Sequence, residues 1–342
     1  MAKSSSKSAA FKELTKEERG FAAVLKDRIS DSLLPGESAL EGEQMDEAAA
    51  FVVEAARTRE DGKPSILLRT ESGERRFMRI AIINKDMPFL VDSIAATMSA
   101  RGLAIDLLVH PILPVRRRDE ALVEVPEGDG TGEKKESWVY IETGRIDAKD
   151  RRELEAELRT AILDVRAAVA DWPKLREAIG EDADRLPDAE GAALLRWLGD
   201  GMMTQLGHVT RKRDGSQADE FGICRRSTPD LMADDAYDKA FAWFDGNKGH
   251  QGRAPLIVKA NRLSKVHRRV PLDLFIVPRM EGGRVEALSV HAGIWTSAAL
   301  VTSPDNVPVL RQQLKTIMDR LDFEPGSPDY KSLVHALTAL PH

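Results

Sequence analysis

Residues 77–102 read FMRIAIINKDMPFLVDSIAATMSARG, and this stretch decides the fold of the first half of the chain. Its first seven residues form a short apolar run interrupted by a single arginine, which predicts a β-strand. A polar turn follows, and Leu90, Ile94 and Met98 then recur four positions apart, as on one face of an amphipathic helix. Gly102 ends that helix. The stretch therefore predicts a strand, a turn and a helix in direct succession.

The segments around this stretch extend the pattern. Residues 103–115 are rich in Leu, Ile and Val, and residues 137–142 alternate apolar and polar side chains, so both predict strands. Residues 148–170 again show helical spacing. The order strand, helix, strand, strand, helix is most of a ferredoxin-like βαββαβ unit. The closing strand is predicted either at 205–211 or elsewhere in the chain.

Two further regions flank this unit. Helical spacing over 12–34 and 45–59 predicts a helical preface ahead of it. In the second half of the chain, strand-like runs alternate with turns and helices, which predicts an antiparallel sheet with helices to one side. The predicted strands there are 203–212, 221–225, 255–259, 270–278, 285–290 and 294–302, and the predicted helices are 189–198, 234–244 and 305–321.

The fold class that follows is α+β, and a length of 342 residues suits more than one core. We expect a disordered start and helical preface over 1–60 and a first α+β domain with a C-terminal helix over 61–186. A second α+β domain is expected over 187–323. Residues 324–342 are expected to form a truncated linker helix.

Charge and cysteine content narrow the function class. The chain has 50 basic and 56 acidic side chains, a net charge of −6, and so predicts no basic surface for nucleic acid. Its single cysteine, Cys224, lies among apolar residues, which predicts a buried thiol in a reducing compartment. There is no apolar run of ~18 residues that would cross a membrane. A cytoplasmic protein is expected.

Local catalytic motifs are absent from the sequence. It contains no glycine-rich dinucleotide or phosphate loop, no pair of histidines at metal-binding helical spacing and no nucleophile elbow. The seven histidines are scattered. We therefore predict no catalytic, cofactor-binding or metal-binding residue in this chain.

The first candidate site lies at the start of the helix in the quoted stretch. Asp86 is predicted to cap this helix, with Pro88 in its first turn. Free N–H groups at a helix start suit a carboxylate or amino-acid ligand, and simple capping is the alternative. As an effector or interface site we name Asp86, Met87, Pro88, Phe89, Asp92 and His110, the last of which is otherwise a structural histidine at a strand end.

A second candidate site is a dense basic connection between two predicted strands. It comprises Lys259, Asn261, Arg262, His267 and Arg268. Such a cluster suits an anion or an acidic partner surface, and a loop closed by salt bridges is the alternative.

These segments carry a family resemblance. The runs DMPFLVDS at 86–93 and ESWVYIE at 136–142, together with LRWL at 195–198 and the KAN…VHR segment at 259–268, resemble the start of the large bacterial NAD-dependent glutamate dehydrogenases. The resemblance covers nearly all of 66–341. The run HAGIW, from His291, departs from the phenylalanine- and leucine-rich run usual in that family.

The resemblance implies a fold and a role. It implies an ACT-like domain followed by a PAS-like domain, ahead of a distant catalytic domain, in a homo-oligomer that converts L-glutamate to 2-oxoglutarate with NAD. The chain alone is then expected to be inactive and to hold no cofactor. Its expected partners are the remaining domains or subunits and an amino-acid effector. The alternative is a stand-alone ACT/PAS-type amino-acid sensor or protein-interaction module.

Overall fold

A computed structural model describes residues 11, 13–32, 40, 42–72, 76–128, 133–246 and 255–339. The disordered start predicted at 1–10 and the last residues of the predicted linker helix, 340–342, lie outside these ranges. None of the helices described is long and apolar enough to cross a membrane.

The chain divides into two compact units. Unit 1 runs to Arg166 and includes Lys265–Arg269, and unit 2 contains Ala167–Ser264 and the residues from Val270 onward. The elements of unit 1 are α1 Lys16–Ser32, α2 Gly42–Ala56, β1 Ser65–Ser72, β2 Arg76–Lys85, α3 Leu90–Ala100, β3 Ile105–Val109, β4 Ile112–Arg118, β5 Ala121–Glu124, β6 Lys134–Gly144 and the first half of α4 Ala148–Arg185. The division falls within α4, whereas the sequence places a boundary between 186 and 187.

The sheet of unit 1 contains the predicted strand–helix–strand–strand–helix order. Its strands lie in the order β1-β2-β6-β4-β5, and β3 also pairs with β6. The pairs of β6 with β2, β3 and β4 are all antiparallel. The position beside β2 that a closing strand would take is filled by β1, so of the two alternatives the strand lies elsewhere in the chain, and 205–211, which pairs with β11, is wrong. Only three residues separate β1 from β2 in sequence, which makes this local pairing the easier one to form.

Both faces of this sheet are buried, which explains the helical preface. Alternate residues of a strand point to opposite faces. Ile80 and Ile82 pack in one cluster with residues of α3 and α4, and Ala81 and Ile83 pack in another with residues of α1 and α2. The preface therefore covers the face that α3 and α4 leave open.

A buried charge network ties the preface to the sheet. Glu136 is 2% exposed and accepts hydrogen bonds from Arg59 Nε at 2.9 Å and Arg117 Nε at 2.8 Å. The indole N–H of Trp138 donates to the same carboxylate at 3.1 Å. Two arginines and an indole thus compensate one buried charge, and removing that charge would leave the arginines without their shared partner.

Unit 2 is built on an antiparallel five-stranded sheet in the order β8-β7-β11-β10-β9, which confirms the antiparallel sheet predicted for the second half of the chain. Its elements after α4 are α5 Ala189–Trp197, a π-helical turn Leu198–Met202, β7 Met203–Lys212, β8 Gln217–Gly222, a 3₁₀ turn Ile223–Arg225, α6 Asp234–Asp245, β9 Leu256–Leu263, β10 Pro271–Glu281, β11 Arg284–Trp295, α7 Ser297–Leu300, a 3₁₀ turn Pro304–Asn306, α8 Leu310–Leu321 and α9 Pro328–Ala339. Cys224 is buried, as predicted.

Two strand predictions in unit 2 are wrong. The separate strands expected at 285–290 and 294–302 are one strand, β11, followed by the short helix α7. Gly293 permits this continuity, because a Cβ at that position would lie 2.5 Å from the Met203 side chain of the neighbouring strand. The strand expected at 221–225 ends at Gly222, whose left-handed φ of 62° turns the chain into the 3₁₀ turn.

Candidate functional site

The start of α3 differs from its predicted form. The helix begins at Leu90, its N-cap is Phe89 in the left-handed region with φ 67°, and no side chain caps it. The prediction of Asp86 as the cap and Pro88 in the first helical turn is therefore wrong. Asp86 Oδ1 instead accepts a hydrogen bond from Ser137 Oγ at 2.7 Å. Because the pairing of β2 with β6 extends to Lys85, Asp86 lies directly at the end of these paired strands, not at the helix start.

A segment from the second candidate site packs on this helix start. We call Lys265–Arg269 the docking segment; it connects β9 to β10 and belongs to unit 1. The backbone N–H of His267 donates to Ser93 Oγ at 2.8 Å, and its ring lies 5.0 Å from the ring of Phe89. His267 Nε2 is 3.6 Å from a carboxylate oxygen of Asp92. Residues predicted in two separate sites therefore meet in one place.

Positive φ angles mark both sides of this contact. His267 has φ 63° and Phe89 has φ 67°, and neither is a glycine. Side chains rarely adopt this region, at a cost of ~1–3 kcal/mol each, unless their surroundings hold them there. Ser93 supplies that restraint on both sides, since its hydroxyl accepts from His267 and donates to the Phe89 carbonyl at 2.6 Å.

The cationic ends of the docking segment lie beside α4. Lys265 and Arg269 line a small cavity with Thr97 of α3 and Glu157 of α4. The hydrogen bond from Arg101 lowers the pKa of Glu157, and the charges of Arg269 and Lys265 add to this effect. The docking segment is thus anchored by the Ser93 hydrogen bond and by charge.

His110 lies near Asp86, on the same sheet. It stands at the break between β3 and β4, and its buried Nε2 has no hydrogen-bond partner among the described residues. Burial lowers the pKa of His110, and the nearby Asp86 carboxylate opposes that shift. Neutral His110 is therefore the form that the fold favours.

The remaining residues of the second candidate site line a cavity in unit 2. This cavity, of about 760 Å³, lies between α6 and the strands β9 and β10. Lys259, Asn261 and Arg262 contribute to its wall, and Lys259 Nζ forms an ion pair with Asp273 at 2.8 Å. Much of the remaining lining is apolar: Leu231, Trp243, Val258, Leu274 and Ile276. The cavity combines cationic groups with an apolar wall, as a site for a carboxylate with a carbon side chain requires.

Sequence reasoning missed a buried polar cluster in unit 2, formed by Asp182, His208, Ser289 and His291. His208 and His291 are directly paired across β7 and β11, with ring centroids 4.7 Å apart, although 83 positions separate them in sequence. Strand pairing therefore produced a proximity that local spacing does not contain. The available signal was weak: His208 lies in a predicted strand, 203–212, whereas His291 lies between the strands predicted at 285–290 and 294–302.

The ionisation of this cluster is set by burial and hydrogen bonding. Burial raises the pKa of Asp182, yet hydrogen bonds from His291 and Ser289 and the charge of Arg279 outweigh it and lower the pKa to about 2. Burial, together with the neighbouring His291, lowers the pKa of His208 to about 3. An ionised carboxylate and a neutral imidazole thus lie side by side in the core of unit 2.

Comparison with known proteins places the chain in a family. Residues 39–158 match the family model described as the ACT1 domain of glutamate dehydrogenase. Over 291 residues the chain is 29% identical to the NAD-specific glutamate dehydrogenase of Halomonas elongata and 30% identical to that of Pseudomonas aeruginosa. Each of these alignments covers 77% of this chain and 18% of the relative. The NAD-specific glutamate dehydrogenase of Mycobacterium tuberculosis is 24% identical over 264 residues, or 70% of this chain and 15% of the relative. The chain therefore spans less than a fifth of the length of these relatives. It belongs to the family of the NAD-specific glutamate dehydrogenases, as their N-terminal region with the ACT1 domain.

Proposed function

We propose that this chain is the regulatory and assembly segment of a large cytoplasmic, homo-oligomeric NAD-dependent glutamate dehydrogenase. The parent reaction converts L-glutamate, NAD and water into 2-oxoglutarate, ammonium and NADH, and its catalytic groups belong to other parts of that enzyme. The family membership and the ACT1 domain support this assignment. The partners of the chain are then the remaining domains and subunits of the enzyme.

One observation carries the regulatory role: cavity residues and docking residues lie on one short stretch of chain. Asn261 and Arg262 line the cavity of unit 2, and only a few positions later Val266 is buried and His267 contacts Phe89. A ligand that shifts the end of β9 therefore pulls directly on the docking segment. Within the docking segment His267 has a left-handed φ, and its backbone N–H bonds to Ser93 Oγ, so a shift of the chain just before it acts directly on this contact.

The cavity also indicates the class of effector. Lys259 and Lys239 are paired with Asp273 and Asp235, whereas Arg262 has no carboxylate within ion-pair distance among the described residues. A free guanidinium suits bidentate binding of a carboxylate. We propose an amino acid or a related carboxylate as the effector, with its carbon side chain on the apolar wall.

Ligand binding is tested by thermal unfolding of the chain with L-glutamate, 2-oxoglutarate, L-aspartate and L-leucine at millimolar concentrations. The proposal expects one or more of them to raise the unfolding temperature, and the Arg262→Gln variant to lose that shift. Arg284→Gln is the matched control, because Arg284 is exposed at the first residue of β11 and does not line the cavity. Absence of a shift with every compound, or an equal loss in both variants, contradicts an effector site there.

Whether the chain alone has catalytic activity is tested separately. Glutamate-dependent reduction of NAD is followed at the NADH absorbance with the purified chain. The proposal expects no rate above that of a sample without protein. Turnover that scales with the concentration of the chain would overturn the regulatory assignment, whatever the outcome of the ligand screen.

A further inference from the structure

The buried polar cluster of unit 2 brings together side chains of three metal-binding types. Asp182 comes from α4, His208 from β7, and Ser289 and His291 from β11. All four are at most 1% exposed. Asp182, His208 and His291 each offer one ligand atom, and these three atoms lie within 4.8 Å of one another. Two imidazoles and a carboxylate are a donor set that zinc and other first-row transition metals prefer.

The tautomer of His208 is fixed by its outer hydrogen bond. Its Nδ1 lies 2.9 Å from the backbone carbonyl of Asp219, which only accepts, so Nδ1 carries the proton. In the neutral ring, Nε2 then presents a lone pair toward Ser289 and His291. A backbone carbonyl that orients the second nitrogen is the usual outer partner of a metal-binding histidine.

Asp182 divides its two oxygens between different partners. Oδ1 accepts from Arg185 at 3.1 Å and lies 3.5 Å from Arg279 Nε. Oδ2 accepts from His291 Nε2 at 2.9 Å and from the hydroxyl of Ser289. The arginines therefore orient the carboxylate from one side, and Oδ2 is directed at the two histidines.

A proton is missing at the centre of the cluster. Ser289 has one hydroxyl hydrogen, and its closest partner is Asp182, which only accepts. The oxygen of Ser289 then faces the lone pair of His208 Nε2 at 2.9 Å, so two acceptors oppose each other with no hydrogen between them. Buried polar atoms in native proteins normally have at least one hydrogen-bond partner, and the lone pair of His208 Nε2 then faces no donor among the described residues. A cation at this position satisfies both lone pairs.

We propose that His208 Nε2, His291 Nε2 and Asp182 Oδ2, with Ser289 Oγ as the fourth donor, bind a divalent transition metal ion, zinc above all. Ligand bonds of ~2.0–2.2 Å in a tetrahedral site separate the donor atoms by ~3.3–3.6 Å. The separations present are 2.9 Å for His208–Ser289, 3.5 Å for Ser289–His291 and 2.9 Å for His291–Asp182. The His208–Ser289 and His291–Asp182 distances, and the hydrogen bond between Ser289 and Asp182, must lengthen when the ion binds. On binding, the proton of His291 moves to its Nδ1.

The site is structural in type. Its donors are buried and come from three separate elements, so an ion would fasten α4 to β7 and β11. This inference is independent of the proposed regulatory function.

Metal binding is tested on the whole chain after dialysis against a chelator and then against buffer. Zn²⁺ is added back, excess is removed, and the metal content is measured by plasma mass spectrometry. Co²⁺ is titrated in parallel and its visible absorption recorded. We expect about one ion per chain, the intense visible bands of tetrahedral Co²⁺, their loss on adding Zn²⁺, and an upward shift of the unfolding temperature.

Variants separate this site from adventitious binding. His291→Gln and the milder Ser289→Ala are compared with His335→Gln, in which an exposed histidine of α9 is replaced. The proposal expects His291→Gln to abolish the Co²⁺ bands, Ser289→Ala to alter them, and His335→Gln to leave them unchanged. Failure of the parent chain to retain zinc, or octahedral Co²⁺ spectra in it, overturns the proposal even if a variant does not fold. Equal metal retention by His291→Gln also overturns it.

Discussion

Replacing Ser93 by alanine tests whether the docking segment is held on α3 as the structure indicates. Ser93 is fully buried, and its hydroxyl makes two hydrogen bonds, one from the His267 backbone N–H and one to the Phe89 carbonyl. The Phe89 carbonyl keeps a second donor in the backbone N–H of Ser93 at 3.1 Å, whereas the substitution leaves the His267 N–H without this acceptor.

The expected magnitude follows from these partners. An unsatisfied buried donor costs ~1–3 kcal/mol, and the higher helix propensity of alanine returns about 0.5 kcal/mol of that. We expect the free energy of unfolding to fall by about 1–2 kcal/mol. Ser99→Ala is the matched control, because Ser99 lies exposed on the same helix. The control is expected within about 0.5 kcal/mol of the parent, on the stable side.

Urea unfolding gives the free energies, and amide hydrogen exchange gives the location of the change. The backbone N–H of His267 is expected to lose protection in Ser93→Ala and to keep it in Ser99→Ala. Equal stabilities of the two variants, or unchanged protection at His267 in Ser93→Ala, would refute the docking of this segment on α3.

Three other substitutions, one of them with a matched control, test the buried charge, the turn at Gly222 and the protonation of His110. Glu136→Gln removes a buried charge that two arginines share, and urea unfolding should show a loss of about 3–5 kcal/mol; a loss below 1 kcal/mol would contradict the network. Gly222→Ala places a Cβ 2.1 Å from the Leu206 carbonyl at φ 62° and should cost about 3 kcal/mol or more. Gly180→Ala, near the C-terminal end of α4 where a Cβ meets nothing within 4 Å, should gain about 0.5–1 kcal/mol. Because burial lowers the folded-state pKa of His110, the unfolded chain binds a proton at this residue before the folded chain does as the pH falls. The contribution of neutral His110 to stability is therefore complete above pH 6.5 and declines below it. His110→Gln should weaken that decline in a pH series of urea unfolding, and an unchanged pH slope would contradict the burial of a neutral ring.

Local periodicity predicted those helices and strands whose buried face is set by the spacing of their own apolar residues. The strand, turn and helix of 77–102 are present because apolar spacing alone determines which face is buried. That β1 takes the place of the closing strand beside β2 was not predictable in the same way, because apolar spacing identifies a strand but not its neighbour, and 205–211 was an equally strand-like candidate. The preface helices were predicted as helices, but their role as the cover of a sheet face follows only from the three-dimensional packing.

The candidate sites show a similar limit. Residues 86–93 and 265–269 were each recognisable as unusual, yet their contact across 174 positions, from Ser93 to His267, has no signature in local sequence. Asp86 failed as a cap because a ladder partner, Ser137, competed for its carboxylate. The pairing of His208 with His291 depends on strand register, which scattered histidines do not reveal.

We propose that a ligand in the cavity of unit 2 acts on the docking segment. Amide exchange is measured across the whole chain, with and without the carboxylate that gives the largest thermal shift. Altered exchange is expected in two places: in the cavity wall at 256–262, and at 265–269 together with the start of α3. A ligand that shifts the unfolding temperature and protects the cavity wall, while 265–269 and α3 exchange as before, would contradict it.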